Sequence, residues 1–367
     1  MTRANTHHWA RVAVALGLWA AALWLTAQGS RQTAAQVTSY EINDAHVHLT
    51  NYVQEGIDIR DLLAIMGQKV GRAAVFGIPL QQQWSYGNTG DFAPAYYLQT
   101  DAPLYYYSFT DAAIAMAYRS LAPAERARFD PMITGFNPAD MYAADHVRRV
   151  LTTFPGVFSG IGEFTIHKEF VSAKIAGETA SLTNRALDRL LDFAGEVGLV
   201  ALIHSDVDVP FPKPGQEPYQ VVQLRDLFLR HPQTTFIWAH IGLGRVVRPV
   251  KDQVGIIERA FANPALAHVH VDISWDETAK YLVASSDTIA TVADLINRYP
   301  DRFLFGTDEV APADQQRYLG VYARYAPLFA RLTPEASRKV RTGNYERLFD
   351  EARRRVRAWE HANIKQR

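Results

Sequence analysis

Two histidines separated by one residue, His46 and His48, are the feature of this chain best suited to chemistry. They end the segment 40–49, which has the pattern of a β-strand. Side chains at positions i and i+2 project from the same face of a strand, so both imidazoles can bind one metal ion. Two polar residues on the exposed face of a strand produce the same spacing by chance, so the pair needs support from elsewhere in the chain.

Four later apolar segments end in groups that bind metals. Segments 200–204 and 236–240 end in histidine, segment 158–163 ends in glutamate, and segment 303–308 ends in aspartate. The chain has no cysteine, so any metal must be held by nitrogen and oxygen ligands. We therefore predict a divalent metal site formed by His46, His48, Glu163, His204, His240 and Asp308.

These later residues also have simpler interpretations. His204 and His240 could be core histidines with satisfied hydrogen bonds. Glu163 could form an ion pair with Lys168, or it could accept a hydrogen bond beside the metal ligands. The agreement of five strand ends favours the metal site over these separate explanations.

Segments with strand and helix patterns alternate along the chain. The strand patterns lie near residues 41, 73, 132, 157, 199, 235, 268 and 302. The helix patterns lie at 58–69, 138–153, 182–197, 219–230, 246–262, 286–299 and 313–331. Eight strands alternating with helices predict an α/β fold of the (β/α)₈ TIM-barrel type, which needs about 250 residues. The C-terminal ends of its parallel strands share one face, so the candidate ligands should converge there.

The chain is longer than one barrel requires. Residues 1–36 contain basic residues, an apolar run over 12–27 and then small residues, which is the pattern of a signal peptide. An uncleaved membrane anchor is the alternative, and membrane contact is expected only in that case. Residues 37–367 are predicted to form the barrel, with residues 79–130 inserted between the second and third strands over the barrel mouth.

The composition limits the class of partner. The chain is 48% hydrophobic and 21% charged, as in an ordinary globular protein. Its formal net charge is zero, so no basic surplus is available to neutralise phosphates, and nucleic acid is not an expected partner. We expect a small-molecule substrate, and the sequence indicates no particular oligomeric state.

The ligand pattern, together with the closing segment 341–349, resembles the amidohydrolase superfamily, specifically its amidohydrolase-related branch of metal-dependent TIM-barrel hydrolases. The resemblance covers residues 40–350. It implies that the His46/His48 pair, His204 and Asp308 bind a divalent ion, usually zinc, and that Asp308 also transfers protons. It further implies that His240 either binds a second metal or activates the nucleophile.

Glu163 departs from the pattern of many binuclear members, which have a carboxylated lysine at the fourth strand. A bridging glutamate at this point is similar to TatD-like hydrolases, whereas single-metal decarboxylases of the related branch usually lack an acid there. The resemblance therefore implies one or two ions.

These residues predict a metal-dependent hydrolase of a C–N or C–O bond in a small molecule. A divalent ion lowers the pKa of a bound water to about 7 and makes it a nucleophile, and Asp308 would accept the proton. Arg245, His167 and Lys168 follow strand ends and are candidates for substrate binding. A metal-dependent decarboxylase on the same scaffold and a non-catalytic metal-holding protein of the cell envelope are the alternatives.

The leader pattern predicts export to the periplasm or the medium. Cell fractionation with N-terminal sequencing should find a mature chain that starts between residues 30 and 37, outside the cytoplasm. An intact Met1 on soluble cytoplasmic protein would contradict this expectation.

Overall fold

The computed structural model describes residues 40–50, 56–78, 83–84, 98–99, 109–168, 171–172, 174–175, 178–179, 181–209 and 218–364. All of them belong to the unit Tyr40–Arg367. The predicted leader and half of the predicted insertion lie outside these residues. Within the described part of the chain, no helix combines the length and the apolar character needed to cross a membrane.

Parallel strands form the central sheet of this unit. The strands are β1 (Ile42–His48), β2 (Val70–Phe76), β3 (Phe129–Ile133), β4 (Gly160–Lys168), β5 (Val200–Ser205), β6 (Thr235–Trp238), β7 (Val269–Asp272), β8 (Phe303–Leu304) and β9 (Glu309–Val310). Each of β1 to β7 pairs in parallel with the next strand along the chain. The ninth strand, β9, pairs in parallel with β1. The amide of Ala45 also donates to the carbonyl of Phe305 at 3.0 Å. The segment from β8 to β9 therefore closes the sheet into a barrel, as predicted.

Helices and short strands connect the barrel strands. The helices are α1 (Ile59–Met66), α2 (Phe109–Arg119), α3 (Pro123–Arg126), α4 (Ala143–Thr153), α5 (Arg185–Val197), α6 (Tyr219–Arg230), α7 (Gln253–Ala262), α8 (Asp276–Leu282), α9 (Ser286–Arg298), α10 (Gln315–Tyr318), α11 (Gly320–Arg324), α12 (Ala326–Phe329), α13 (Pro334–Arg338) and α14 (Asn344–Asn363). Single turns lie at Ala239–Gly242, Pro264–Leu266, Pro300–Arg302 and Lys339–Gly343. Two-residue strands pair Gln83–Trp84 with Leu98–Gln99, Val171–Ser172 with β4, and Lys174–Ile175 with Glu178–Thr179.

Strand alternation separates two apolar layers, and β5 illustrates it. Val200 and Leu202 belong to the cluster that fills the barrel, which also contains residues of β2, β3, β6 and β8. Ala201 and Ile203 belong to the larger cluster between the strands and the surrounding helices. His204 continues the inward row of Val200 and Leu202, so the two-residue period of the strand brings its imidazole to the interior.

The last helix closes the end of the barrel opposite the strand C-termini. Tyr345 and Phe349 of α14 pack against the interior cluster. The hydroxyl of Tyr345 donates to Asp130 at 2.7 Å, and the guanidinium of Arg72 contacts the same carboxylate at 2.9 Å. Because this end is filled, the open end of the barrel is the one at which the strands terminate.

Several boundaries differ from the prediction, and the helix predicted over 246–262 begins only at Gln253. The predicted insertion 79–130 runs two residues too far, because Phe129 and Asp130 already belong to β3, where Phe129 is paired with Ala73. The single helix predicted over 313–331 is instead three short helices, α10 to α12. Gly320 begins the second of them, and Pro327, which lacks an amide proton, lies in the first turn of the third, so neither residue favours a continuous helix.

His270 on β7 provides a test of the packing. Burial, with the nearby charges of Arg347 and Arg302, lowers the pKa of His270 to about 3. The unfolded chain protonates this histidine below about pH 6.5, whereas the folded chain does so only near pH 3. The titration of His270 therefore has no effect on stability above about pH 6.5 and destabilises the fold as pH falls below that value. Between pH 7 and pH 5 the wild type should lose about 2 kcal/mol more unfolding free energy than His270→Gln.

Urea denaturation at several pH values measures this difference. His361→Gln removes an exposed histidine of α14 and serves as the control. Parallel stability curves for the wild type and His270→Gln would show that His270 is not held neutral.

Candidate metal centre and active site

The six candidate ligands meet at the open end of the barrel. His46 and His48 lie at the end of β1, Glu163 lies in β4, His204 lies at the end of β5, His240 follows β6, and Asp308 lies between β8 and β9. Their side chains are buried, with at most 8% of any of them exposed. The sequence prediction that they converge agrees with this arrangement.

Asp308 contacts both histidines of β1. Its Oδ1 lies 3.1 Å from Nε2 of His46 and 3.0 Å from Nε2 of His48. Glu163 faces the same pair, with Oε2 at 3.7 Å from His46 Nε2 and 3.5 Å from His48 Nε2. These four residues each offer one ligand atom within 4.8 Å of the others, which is close enough for one shared ion.

The other oxygen of Glu163 faces a second group. Its Oε1 lies 2.6 Å from Nδ1 of His204 and 3.5 Å from Nε2 of His240. Glu163, His204 and His240 form a further set with mutually close ligand atoms. One carboxylate therefore connects two groups of ligands, so the site has room for one ion or for two bridged by Glu163. Glu163 lies within 3.7 Å of four imidazoles, and it also interacts with the charge of Lys168, its alternative partner.

Several of the candidate ligands lie in or next to unusual backbone conformations. His240 and Asp308 have φ values of 56° and 55°, in the left-handed region that non-glycine residues seldom adopt. Each such conformation costs of order 1–3 kcal/mol and persists only where the surroundings hold it in place. The amide of Asp308 donates to the carbonyl of His46 at 2.8 Å, which holds the strained segment against β1. Before Glu163, Gly162 has φ 113°, and a Cβ there would lie 2.2 Å from the carbonyl oxygen of Leu202.

Asp272, at the end of β7, supports the ligands, although it was not among the predicted site residues. Its Oδ2 lies 3.0 Å from Nδ1 of His46, and its Oδ1 accepts from the amide of His240 at 2.7 Å. The hydroxyl of Ser274 lies 2.5 Å from the same Oδ1 and 2.8 Å from Nδ1 of His240. Asp272 could have been found from sequence, because it ends its strand as the chosen residues end theirs. Ser274 lies beyond the strand end and had no such signal.

Two further acids position the site. Asp206, which the sequence analysis also missed, has Oδ1 at 3.1 Å from Nε2 of His204. Asp44 accepts from the amides of His46 and Thr307 at 3.0 and 2.9 Å and from the Thr307 hydroxyl at 2.6 Å. Asp44 thereby joins the end of β1 to the segment that carries Asp308.

The carboxylates are ionised despite their burial. Burial alone would raise the pKa of Asp308, but the charge of His46 and the contacts with both histidines of β1 hold it well below its usual range. Burial also opposes the low pKa of Glu163, which the charge of Lys168 and the contact with His204 maintain well below the usual range.

The pKa values of the four histidines shift in two directions. Burial acts to lower the pKa of His46 and His48, but Asp308 and the neighbouring acids raise both pKa values, that of His46 strongly. For His204, burial and the charge of Lys168 are outweighed by Glu163 and Asp206, so its pKa is raised. The pKa of His240 is lowered, chiefly by burial, so this imidazole is neutral.

This charge pattern fits a divalent cation. The ionised acids draw protons onto the histidines, and a cation between them would supply the same positive charge while leaving the imidazoles neutral, as coordination requires. Among the described residues, Nε2 of His46 and Nε2 of His240 are buried and have no hydrogen-bond partner of good geometry. A set of histidine nitrogens and carboxylate oxygens suits zinc and related divalent ions.

Two of the predicted substrate-binding residues, Lys168 and Arg245, lie near the indole of Trp275, which packs beside His240. Lys168 is buried, and its Nζ lies 5.3 Å from the centroid of the Trp275 ring. The Trp275 ring lies 5.0 Å from that of His240. Arg245 lies at the outer side of the same indole, 6.0 Å from its centroid, with Nε 3.3 Å from Oε1 of Glu277.

His167 lies further along β4 from Glu163. Burial lowers its pKa, so the ring is neutral and can accept or donate a hydrogen bond but does not add positive charge. His268 and His270 belong to other surroundings: His268 Nε2 contacts the carbonyl of Phe228 at 3.0 Å, and His270 Nε2 lies 3.3 Å from the guanidinium of Arg347.

Comparison with solved structures identifies similar barrels. A proposed 2-pyrone-4,6-dicarboxylic acid hydrolase from Pseudomonas putida is 14% identical, with a TM-score of 0.50 over 85% of this chain and 98% of the other. An uncharacterised TIM-barrel protein from Bordetella bronchiseptica is 14% identical, with a TM-score of 0.51 over 85% and 99%. A 2,6-dihydroxybenzoate decarboxylase in complex with 2,6-dihydroxybenzoate is 12% identical, with a TM-score of 0.53 over 85% and 100%. At these identities the likeness shows the fold.

No curated protein sequence matches this chain. The amidohydrolase family model matches residues 43–350, a span that begins in β1, ends in α14 and includes all six candidate ligands. The chain therefore belongs to the amidohydrolase family.

Proposed function

We propose that this protein is a metal-dependent hydrolase that cleaves a C–N or C–O bond of a small molecule. The observation that carries the proposal is the position of Glu163, whose two oxygens face two groups of strand-end histidines in one buried space. Without an ion, these acids draw protons onto the histidines, and a divalent ion would supply the same positive charge while leaving the imidazoles neutral.

His46, His48 and Asp308 would hold the ion together with Glu163, and His204 and His240 would complete the second group. We propose zinc, because the donor set consists of imidazole nitrogens and carboxylate oxygens. When bound, the ion acts as a Lewis acid toward the substrate and brings the pKa of a water molecule to about 7.

Asp308 is the proposed proton acceptor. Its low pKa keeps it ionised at neutral pH, so it can take a proton from an attacking water molecule and later pass that proton to the leaving group. His240, which is neutral, presents Nε2 at 3.9 Å from Oδ2 of Asp308 and can orient the same water molecule.

Lys168 and Trp275 are proposed to bind the substrate. A buried ammonium group beside an indole face suits an anionic group attached to a planar ring. Arg245 and His167 lie farther out and would contact the rest of the substrate. Two of the similar structures are named for reactions of carboxylated rings, one as a proposed hydrolase and one as a decarboxylase, and we propose the same substrate class here.

Decarboxylation is the second candidate reaction, and the buried cation of Lys168 is compatible with it. An ammonium group that binds a carboxylate would serve a carboxylated substrate in either reaction. A metal-holding protein without activity would also contain the same ligands.

The metal prediction rests on the ligand geometry. Purified protein should contain one or two equivalents of divalent metal by elemental analysis, and added zinc should raise the melting temperature of chelator-treated protein. Saturation at about 100 times Kd corresponds to about 2.7 kcal/mol of stabilisation. His48→Ala and Asp308→Asn should weaken metal binding by more than the roughly 10–100-fold typical of outer residues, and both should abolish turnover.

Glu163→Gln tests the shared carboxylate in the same assays. Because Glu163 faces both groups, the variant protein should contain less metal than the wild type. A fall from two equivalents to one would indicate a bridged pair of ions. Glu309→Gln is the matched control, since Glu309 follows Asp308 directly but belongs to neither group. Full activity in metal-free wild-type protein would contradict the proposal.

Product analysis separates the reactions. A panel of carboxylated aromatic rings, lactones and amides in ¹⁸O-labelled water should yield product that contains ¹⁸O, without release of CO₂. Lys168→Met should raise KM for anionic substrates by about tenfold or more, because a charged hydrogen bond is worth about 1.5–3 kcal/mol. Release of CO₂ without ¹⁸O incorporation would establish the decarboxylase instead, and bound metal with no turnover on the panel would favour the non-catalytic protein.

A further inference from the structure

We infer that Ser274 fixes the tautomer of His240, so that the lone pair of Nε2 points into the site. Ser274, Asp272 and His240 are completely buried. The Oγ of Ser274 lies between the other two residues, 2.5 Å from Oδ1 of Asp272 and 2.8 Å from Nδ1 of His240. The catalytic use of this arrangement rests on the proposed function, but the tautomer itself does not.

The number of available protons decides the direction of these hydrogen bonds. Oδ1 of Asp272 already accepts from the amides of His240 and Ser274, at 2.7 and 3.2 Å, and therefore acts as an acceptor. A hydroxyl has one proton, and at 2.5 Å from a carboxylate oxygen that proton must lie between the two oxygens. If the proton pointed to His240 instead, two oxygens would face each other at 2.5 Å with no proton between them.

The hydroxyl oxygen of Ser274 can then only accept from the imidazole. Nδ1 of His240 must carry the proton, since the hydrogen bond made by one ring nitrogen sets the protonation of the other. The ring cannot reach the carboxylate directly, because Nδ1 is 3.9 Å from Oδ1 of Asp272. Ser274 therefore donates its proton to Asp272 and accepts a hydrogen bond from Nδ1 of His240.

The consequence appears at the other side of the ring. With its proton on Nδ1, neutral His240 directs an unprotonated Nε2 toward Oε1 of Glu163 at 3.5 Å and Oδ2 of Asp308 at 3.9 Å. This nitrogen has no hydrogen-bond partner among the residues that the structure describes. A lone pair that faces two carboxylates is ready to bind a cation or accept a proton from water, and the opposite tautomer could do neither.

His46 provides an internal comparison. Its Nδ1 lies 3.0 Å from Oδ2 of Asp272, so one carboxylate acts directly on His46 and through Ser274 on His240. Ser274 is therefore a positioning residue that acts through His240 and has no contact with the other strand-end ligands beyond His46 Nδ1 at 3.4 Å.

NMR of the full chain tests the tautomer without any assay of activity. Protein labelled with ¹⁵N-histidine is made metal-free with a chelator at neutral pH, and His240→Gln assigns the resonances of His240. The wild type should show a protonated Nδ1 and an unprotonated Nε2, which differ strongly in ¹⁵N shift. Ser274→Ala should move the proton wholly or partly to Nε2, and Ser274→Thr, which keeps the hydroxyl, should restore the wild-type pattern.

Ser205→Ala is the matched control, because this buried serine ends β5 and its hydroxyl has no partner among the described residues. It should leave the His240 resonances unchanged. In zinc titrations, Ser274→Ala should bind roughly 10–100-fold more weakly than Ser274→Thr. If Ser274→Thr does not fold, the wild type alone still decides, since an Nε2-protonated His240 overturns the inference.

The outcomes separate this inference from the proposed function. The expected tautomer in a protein that turns over no substrate would support the role of Ser274 and contradict the hydrolase. Turnover together with identical His240 spectra in the wild type and Ser274→Ala would overturn the inference and leave the hydrolase proposal intact.

Discussion

Three buried carboxylates, those of Glu163, Asp272 and Asp308, share one space at the open end of the barrel and remain ionised there. Burying a single anion without a partner is costly, so three can coexist only if positive charge and directed hydrogen bonds surround them. The fold provides four histidines and one lysine around them, and it holds some of the site residues in strained turns. The need to surround these carboxylates explains the strained backbone at His240 and Asp308, because regular strand geometry would direct both side chains away from the site.

Closure of the barrel is what brings the acids and bases together. Residues from the first and last strands lie more than 250 positions apart in sequence, yet Asp308 Oδ1 lies 3.0 Å from His48 Nε2. The bridge from β8 to β9 makes this possible: its backbone leaves the sheet at Gly306, where a Cβ would lie 2.8 Å from the Cβ of His46, and it rejoins β1 beside Val47 and His48. Fold and site are therefore coupled, since a change that loosens this segment would disturb closure and ligand geometry at the same time.

The sequence predicted the eight barrel strands and the convergence of all six candidate ligands, because both depend on local periodicity and on the single direction of parallel strands. It did not predict Ser274 or Asp206, whose roles arise from contacts across strand ends that no local pattern encodes. Asp272 was missed although it ends a strand as the predicted ligands do. The helix expected over 313–331 was wrong in its continuity, because the apolar pattern continues across Gly320 and Pro327, where the backbone does not.

The resting charges of the site bear on the choice between its two candidate reactions. Hydrolysis begins when a base takes a proton from water, whereas decarboxylation of a ring needs an acid that can give a proton to carbon. Asp308 is ionised at rest, and a bound cation would lower its pKa further, so accepting a proton is the first step open to it. A neutral His240 with its proton fixed on Nδ1 by Ser274 likewise offers a lone pair and no proton at Nε2. Lys168 can bind a carboxylate in either reaction, so the proposal of attack by water rests on the protonation of Asp308 and His240 more than on substrate binding.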